Sequence, residues 1–129
     1  MQEHSMKQQK PTLQRILHAC FHSRDGFISA YKGEVAFRQE VWASCLLLPL
    51  LFFLPLPLFF KVLLVSAHFL VLITEILNTA IEKIVDLVSP EFNELAKKAK
   101  DMGSAAVFLS LVLAALLWLT AICSLVGQG

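Results

Sequence analysis

Three long stretches of this chain carry no charged side chain. No Asp, Glu, Lys or Arg occurs between Glu40 and Lys61, between Lys61 and Glu75, or after Asp101. An α-helix of about twenty apolar residues is long enough to cross the hydrocarbon core of a bilayer. Backbone N–H and C=O groups in hydrocarbon must be hydrogen-bonded internally, so stretches of this kind are expected to be helical. The charge pattern therefore predicts an all-α integral membrane protein.

The composition agrees with a membrane protein. Hydrophobic residues make up 57% of the chain and charged residues 16%, whereas soluble domains are nearer half apolar and a quarter charged. The formal net charge of +1 leaves no strongly basic surface, so no nucleic-acid partner is expected. With 129 residues the chain has the length of one domain, and residues 1–129 are predicted to form a single membrane domain.

Turn residues divide the apolar stretches into three predicted transmembrane helices, at about 35–54, 58–88 and 102–126. The Pro55-Leu56-Pro57 turn separates the first two, because proline ends a helix and disfavours helical angles in the residue before it. A polar stretch at 91–100 is expected to connect the second helix to the third.

Apolar residues also recur at helical spacing before the first span. Leu13, Ile16 and Leu17 fall on one face of a helix predicted over residues 12–32, and polar residues fall on its other faces. This pattern predicts an amphipathic helix lying in the membrane interface. Packing of the same face against the spanning helices is the alternative. The polar residues 1–15 predict that no cleavable signal peptide opens the chain.

Lysine and arginine are concentrated on two of the segments outside the spans. Six of them lie before or at the start of the first span, and Lys97, Lys98 and Lys100 lie in the second connection. The turn at 55–57 has only Lys61 nearby, and the C-terminus has none. By the positive-inside rule, the N-terminus and the second connection are predicted to be cytoplasmic and the C-terminus to lie on the far side.

The second span carries polar side chains along one helical face. Glu75, Asn78, Glu82 and Asp86 are spaced three, four and four residues apart, which places them within an arc of roughly 80°. Ionisable residues inside a membrane are costly and by default mark a functional site. Counted from Leu58, Glu75 lies about 25 Å along the helix, near the opposite edge of the hydrocarbon. A lipid headgroup hydroxyl lies at that depth, so Glu75 is a candidate general base.

Two further polar clusters lie at the same predicted membrane face. Glu34, with Arg38, Gln39 and Glu40, lies at the start of the first span. Lys100, Asp101 and Ser104 lie at the start of the third. Carboxylates that hold Mg²⁺ and a lysine that contacts phosphate are what phosphoryl transfer from a magnesium nucleotide requires. The alternatives are an ordinary helix pair for Glu34 and Arg38, and a membrane anchor for Lys100. The chain has no GxxxxGK[ST] or GxGxxG motif, so a nucleotide site here is not a standard glycine-rich loop.

Three motifs follow one another in a distinctive order and spacing. They are EVAFRQE at 34–40, EILNTAIE at 75–82 followed by Asp86, and KDMGSAAV at 100–107. Together they resemble the signature of the small prokaryotic diacylglycerol kinase family, and the resemblance covers roughly residues 12 to 122. It implies a homotrimer in the bacterial inner membrane, with active sites shared between neighbouring subunits.

The resemblance also implies roles for individual positions. Glu75 resembles the catalytic base that acts on the lipid hydroxyl, and Glu34 and Glu82 resemble the magnesium ligands. The positions implied to bind the nucleotide are Arg15, His22, Glu34, Glu82, Glu91, Phe92, Asn93, Lys100 and Asp101. The positions implied to bind the lipid are Glu75, Asn78, Ser104 and Arg38.

Together with these patterns, the resemblance implies an enzyme that transfers the γ-phosphate of ATP, with Mg²⁺, to the hydroxyl of diacylglycerol. An undecaprenol kinase is the alternative within the same family, and AFRQE at 36–40 favours the diacylglycerol branch. An alternative of another class is a small non-enzymatic proton-coupled transporter that uses Glu75 as the carrier. Such a carrier would need a carboxylate near the membrane centre and no polar cluster at the interface.

Overall fold

The computed structural model of this chain describes residues 12–127. Over that range the chain forms four helices and no strand: α1 (Thr12–Gly33), α2 (Val35–Phe53), α3 (Leu58–Val88) and α4 (Glu94–Val126). Helices α2, α3 and α4 are each long and apolar enough to cross a membrane. The predicted all-α fold with three spanning helices is therefore confirmed. The expectations about residues 1–11 lie outside the described residues.

Short breaks separate the first three helices. Glu34 adopts an extended conformation (φ −117°, ψ 119°) between α1 and α2. Arg38 reaches back over this break, and its Nη1 donates hydrogen bonds to the carbonyls of Tyr31 at 3.0 Å and Lys32 at 3.1 Å. These carbonyls have no partner inside α1, because the last turn of a helix leaves its acceptors free. The predicted turn between α2 and α3 occurs at 54–57, where Leu56 N–H donates to the Leu54 carbonyl at 2.8 Å.

Helix α4 begins earlier than the sequence predicts. The expectation of a connecting stretch at 91–100 and a helix start near residue 102 was wrong, because the helix begins at Glu94. The Asn93 side chain caps it by accepting hydrogen bonds from the backbone N–H groups of Leu95 at 2.8 Å and Ala96 at 3.2 Å. The lysines and alanines that follow are good helix formers. The KDMGSAAV motif consequently lies inside a helix rather than at its start.

Helix α3 is the central helix, since it packs against both α2 and α4. Two core clusters lie along it, one formed by Leu51, Leu56, Leu64 and Ala121 and one by Ala67, Val71 and Ala114. Small residues on facing helices allow close backbone approach where hydrocarbon, rather than water, surrounds the protein. The prediction that residues 1–129 form a single domain remains a prediction, and this shared packing supports it.

A buried polar network joins the three spanning helices. Trp118 Nε1 on α4 donates to His68 Nε2 on α3 at 3.1 Å, and His68 Nδ1 lies 2.9 Å from Ser44 Oγ on α2. Ser44 and His68 are buried. Because an indole N–H only donates, Nε2 must accept, and the proton of the neutral ring lies on Nδ1 and is donated to Ser44. Each spanning helix thus contributes one member to a fully paired polar contact.

Replacing Ser44 by alanine is expected to destabilise the bundle. The His68 Nδ1–H group would lose its acceptor in a buried site, which typically costs about 1–3 kcal/mol. We expect a lower midpoint of thermal unfolding in detergent, followed by circular dichroism.

Ser66→Ala is the matched control for this substitution. Its hydroxyl is exposed and donates to the Val62 carbonyl of its own helix at 2.8 Å, so its loss removes no contact between helices. Equal midpoints for Ser44→Ala and Ser66→Ala would contradict a stabilising role for the network.

Candidate active site

The predicted row of polar residues on α3 runs from the protein interior to its surface. Glu75 is only 7% exposed, Asn78 and Glu82 are partly buried, and Asp86 is exposed. A single helical face therefore leads from a buried carboxylate to an exposed one. This gradient is what a site needs if it brings a membrane-embedded reactant to a water-soluble one.

Four carboxylates share the region around Glu75. The charges of Glu40, Glu34 and Glu82 all act on the Glu75 carboxylate, and Glu40 acts most strongly. Within residues 12–127 the ion pairs are Lys97 with Asp101 and Lys100 with Asp86, so none of the four glutamates there has a basic partner. Like charges held close together favour the binding of a cation, and the charge of Lys100, which acts on Glu82, supplies part of the compensation.

Glu40 is a member of this cluster that the sequence patterns place near the site without giving it a specific role. It lies within α2 and is partly buried. The signal in the sequence is its position, because it is the last charged residue before the uncharged stretch of the first span. A carboxylate at that boundary lies at the same predicted depth as the headgroup site.

Hydrogen bonds involve the three members of the row that follow Glu75. Asn78 Nδ2 donates to Glu82 Oε1 at 3.0 Å, one helical turn along α3. Lys100 Nζ of α4 donates to Asp86 Oδ1 at 2.8 Å, which brings the predicted lysine to the row. Asp101 is instead exposed and pairs with Lys97 Nζ at 2.6 Å. The structure thus joins Lys100 to the α3 row, while Asp101 pairs within its own helix.

The two polar residues at the start of α2 do not form the ion pair that their spacing permits. Arg38 donates to backbone carbonyls at the end of α1, and Glu34 has no basic partner in the described part of the chain. Arg38 therefore holds the junction between α1 and α2, next to Glu34. The carboxylate of Glu34 remains available for a ligand.

The remaining predicted nucleotide residues lie on α1 and before α4. Arg15 and His22 are exposed, and neither forms a hydrogen bond or ion pair with the α3 row in the range 12–127. The His22 ring stacks on His18, with centroids 6.4 Å apart. Asn93 caps α4, Phe92 is 83% exposed, and the Glu91 carbonyl accepts a hydrogen bond from Ser89 Oγ at 3.2 Å. Ser104 is also exposed.

Magnesium fits the donor chemistry of the carboxylate cluster. Mg²⁺ is usually held by one or two carboxylates together with water and substrate phosphates, rather than by an all-protein cage. No group of three or more His, Cys, Asp or Glu residues within 12–127 is placed to hold a metal by itself. Glu34 and Glu82 each lie close enough to Glu75 for their charges to act on it, and their carboxylates are oxygen ligands of the kind that Mg²⁺ takes.

Comparisons with known proteins cover most of the chain and agree on one family. A family model described as prokaryotic diacylglycerol kinase matches residues 21–122. The diacylglycerol kinase of Pseudomonas aeruginosa is 45% identical over 108 residues, which cover 84% of this chain and 88% of that protein. That of Haemophilus influenzae is 40% identical over 106 residues, covering 82% of this chain and 90% of that protein. That of Escherichia coli K12 is 43% identical over 104 residues, covering 81% and 85%. This chain therefore belongs to the prokaryotic diacylglycerol kinase family.

Proposed function

We propose that this chain is an ATP-dependent diacylglycerol kinase, which phosphorylates the hydroxyl of diacylglycerol and produces phosphatidic acid. The observation that carries the proposal is the row on α3, which leads from the buried carboxylate of Glu75 to the exposed Asp86. A lipid hydroxyl can reach the buried end from the membrane, and ATP can reach the exposed end from water. The relatives that match most of the chain are named diacylglycerol kinases.

Glu75 is the proposed general base. Its carboxylate takes the proton of the lipid hydroxyl as the hydroxyl oxygen forms a bond to the γ-phosphorus. The bond from that phosphorus to the β,γ-bridging oxygen breaks, and ADP leaves with the electron pair. Phosphoryl transfer requires little covalent chemistry from the protein, so positioning and charge stabilisation account for most of the catalysis.

The other members of the site would position the two substrates. Glu34 and Glu82 would hold Mg²⁺, which neutralises phosphate oxygens when it is bound. Lys100 is proposed to contact phosphate, and Asn78 to support Glu82. The further residues proposed to bind the nucleotide are Arg15, His22, Glu91, Phe92, Asn93 and Asp101, and those proposed to bind the lipid are Ser104 and Arg38.

The proposed setting is the bacterial inner membrane, with the N-terminus and the exposed end of the row in the cytoplasm and the C-terminus on the far side. The lysines at 97, 98 and 100 support this orientation. We also propose a homotrimer with shared active sites. The absence of any hydrogen bond or ion pair from Arg15 or His22 to the α3 row within residues 12–127 supports a site that a neighbouring subunit completes.

Replacing Glu75 by glutamine is expected to abolish phosphoryl transfer, because the amide keeps the shape of the side chain and cannot accept the proton. Loss of a general base typically slows a reaction by about 10²–10⁴-fold. The measurement is ATP- and Mg²⁺-dependent phosphorylation in mixed micelles, with diacylglycerol and undecaprenol offered in parallel. We expect the wild type to prefer diacylglycerol.

Glu94→Gln is the control, since Glu94 is an exposed acid in the first turn of α4 and lies outside the site. Activity in the Glu75→Gln protein equal to that of this control would exclude Glu75 as the base. Preference for undecaprenol would keep the mechanism and change the acceptor. If folded wild type phosphorylates neither lipid, the proposed kinase function is refuted, and the alternative in which Glu75 is the carrier of a proton-coupled transporter is favoured.

Substituting either proposed magnesium ligand is expected to raise the Mg²⁺ requirement. Glu34→Gln and Glu82→Gln each remove one negative charge from the cluster, and loss of a ligand weakens metal binding. We expect each variant to need more Mg²⁺ for half-maximal activity than Glu94→Gln does. A Mg²⁺ titration at fixed ATP checks this. Unchanged titration curves would show that these carboxylates do not bind the metal.

A further inference from the structure

Gly103 lies where α4 passes against the polar row of α3. It is buried. A Cβ atom added at this position would overlap Asn78 Oδ1 and would lie 3.3 Å from Asn78 Cγ and 3.7 Å from Asn78 Cα. The two helices can therefore approach at this point, with the Asn78 side chain in its present position, only because residue 103 has no side chain.

The orientation of the Asn78 amide follows from its two neighbours. Its Nδ2 donates to Glu82 Oε1 at 3.0 Å, and a carboxylate oxygen can only accept, so the amide nitrogen must face Glu82. Its Oδ1 is buried and has no hydrogen-bond donor in the described part of the chain. One hydrogen bond on one side and the backbone of α4 on the other therefore hold the amide in place.

We propose that Gly103 is a positioning residue for the kinase reaction. Because Gly103 has no side chain, α4 leaves space for the Asn78 amide to face Glu82. The hydrogen bond from Asn78 Nδ2 to Glu82 Oε1 then orients the Glu82 carboxylate. Gly103 itself touches neither substrate and acts through Asn78. The inference rests on the proposed function, because it concerns a carboxylate proposed to bind magnesium.

A side chain at position 103 would disturb this arrangement locally. The overlapped atom is the end of a rotatable side chain, so alanine is accommodated by turning Asn78 rather than by separating the helices. Alanine also favours the helical conformation more than glycine does. Gly103→Ala is therefore expected to fold, with Asn78 rotated away and Glu82 left without its donor.

The experiment compares Gly103→Ala with Gly26→Ala, a matched control whose added Cβ meets nothing within 4 Å. Two quantities are measured: the Mg²⁺ concentration for half-maximal phosphorylation of diacylglycerol, and the binding of Mn²⁺ with a non-hydrolysable ATP analogue, followed by electron paramagnetic resonance. Loss of a group that supports a metal ligand typically weakens metal binding by about 10–100-fold. We expect a shift of this size in both quantities for Gly103→Ala, an unchanged KM for diacylglycerol, and wild-type behaviour for Gly26→Ala.

The same binding measurement in an Asn78→Ala background separates positioning from helix packing. Adding Gly103→Ala there is expected to have no further effect, because the amide that it displaces is already gone.

The inference is overturned if Gly103→Ala binds Mn²⁺ like the wild type, if its effect is equal in both backgrounds, or if it fails to fold. A wild type that binds Mn²⁺ with the analogue and phosphorylates no lipid would refute the proposed function, while the Mn²⁺ comparison would still decide the role of Gly103. A wild type that binds no Mn²⁺ would refute both.

Discussion

The close approach of α3 and α4 is the constraint on which the rest of the structure depends. Alanines at 67, 114 and 121 and the glycine at 103 lie along this contact, where larger side chains would keep the backbones apart. The contact brings Lys100 to Asp86 and places the α4 backbone against Asn78. Packing by small residues thus sets the geometry of the polar row, although none of those residues carries chemistry itself.

Burial determines how the charges of the polar row on α3 behave. The same four residues on an exposed helix would form a solvated acidic face, since exposed charges are screened by water and salt. Here the row starts at a carboxylate inside the bundle, beside three other glutamates that have no basic partner in residues 12–127. Like charges held close together repel one another, and a bound cation relieves that repulsion.

Local patterns in the sequence predict much of this molecule. The uncharged stretches predict where the spanning helices lie, and the prolines predict the turn before α3. Helical spacing places Glu75 and Asp86 on one face of α3. The start of α4 is missed because a run of lysines suggests a connection, although the Asn93 cap is the local signal for a helix. Pairings between different helices, such as Lys100 with Asp86 or Arg38 with the end of α1, cannot be read from helical spacing, because they depend on how the helices are placed relative to one another.

The network of Ser44, His68 and Trp118 also bears on whether His68 can relay a proton. A histidine that exchanges its proton between both ring nitrogens can pass protons along a chain of acceptors. Here Nε2 faces an indole N–H, which donates and cannot accept a proton. The hydrogen-bonded chain therefore ends at Trp118, and the paired His68 ring is held in one tautomer with no acceptor on its Nε2 side.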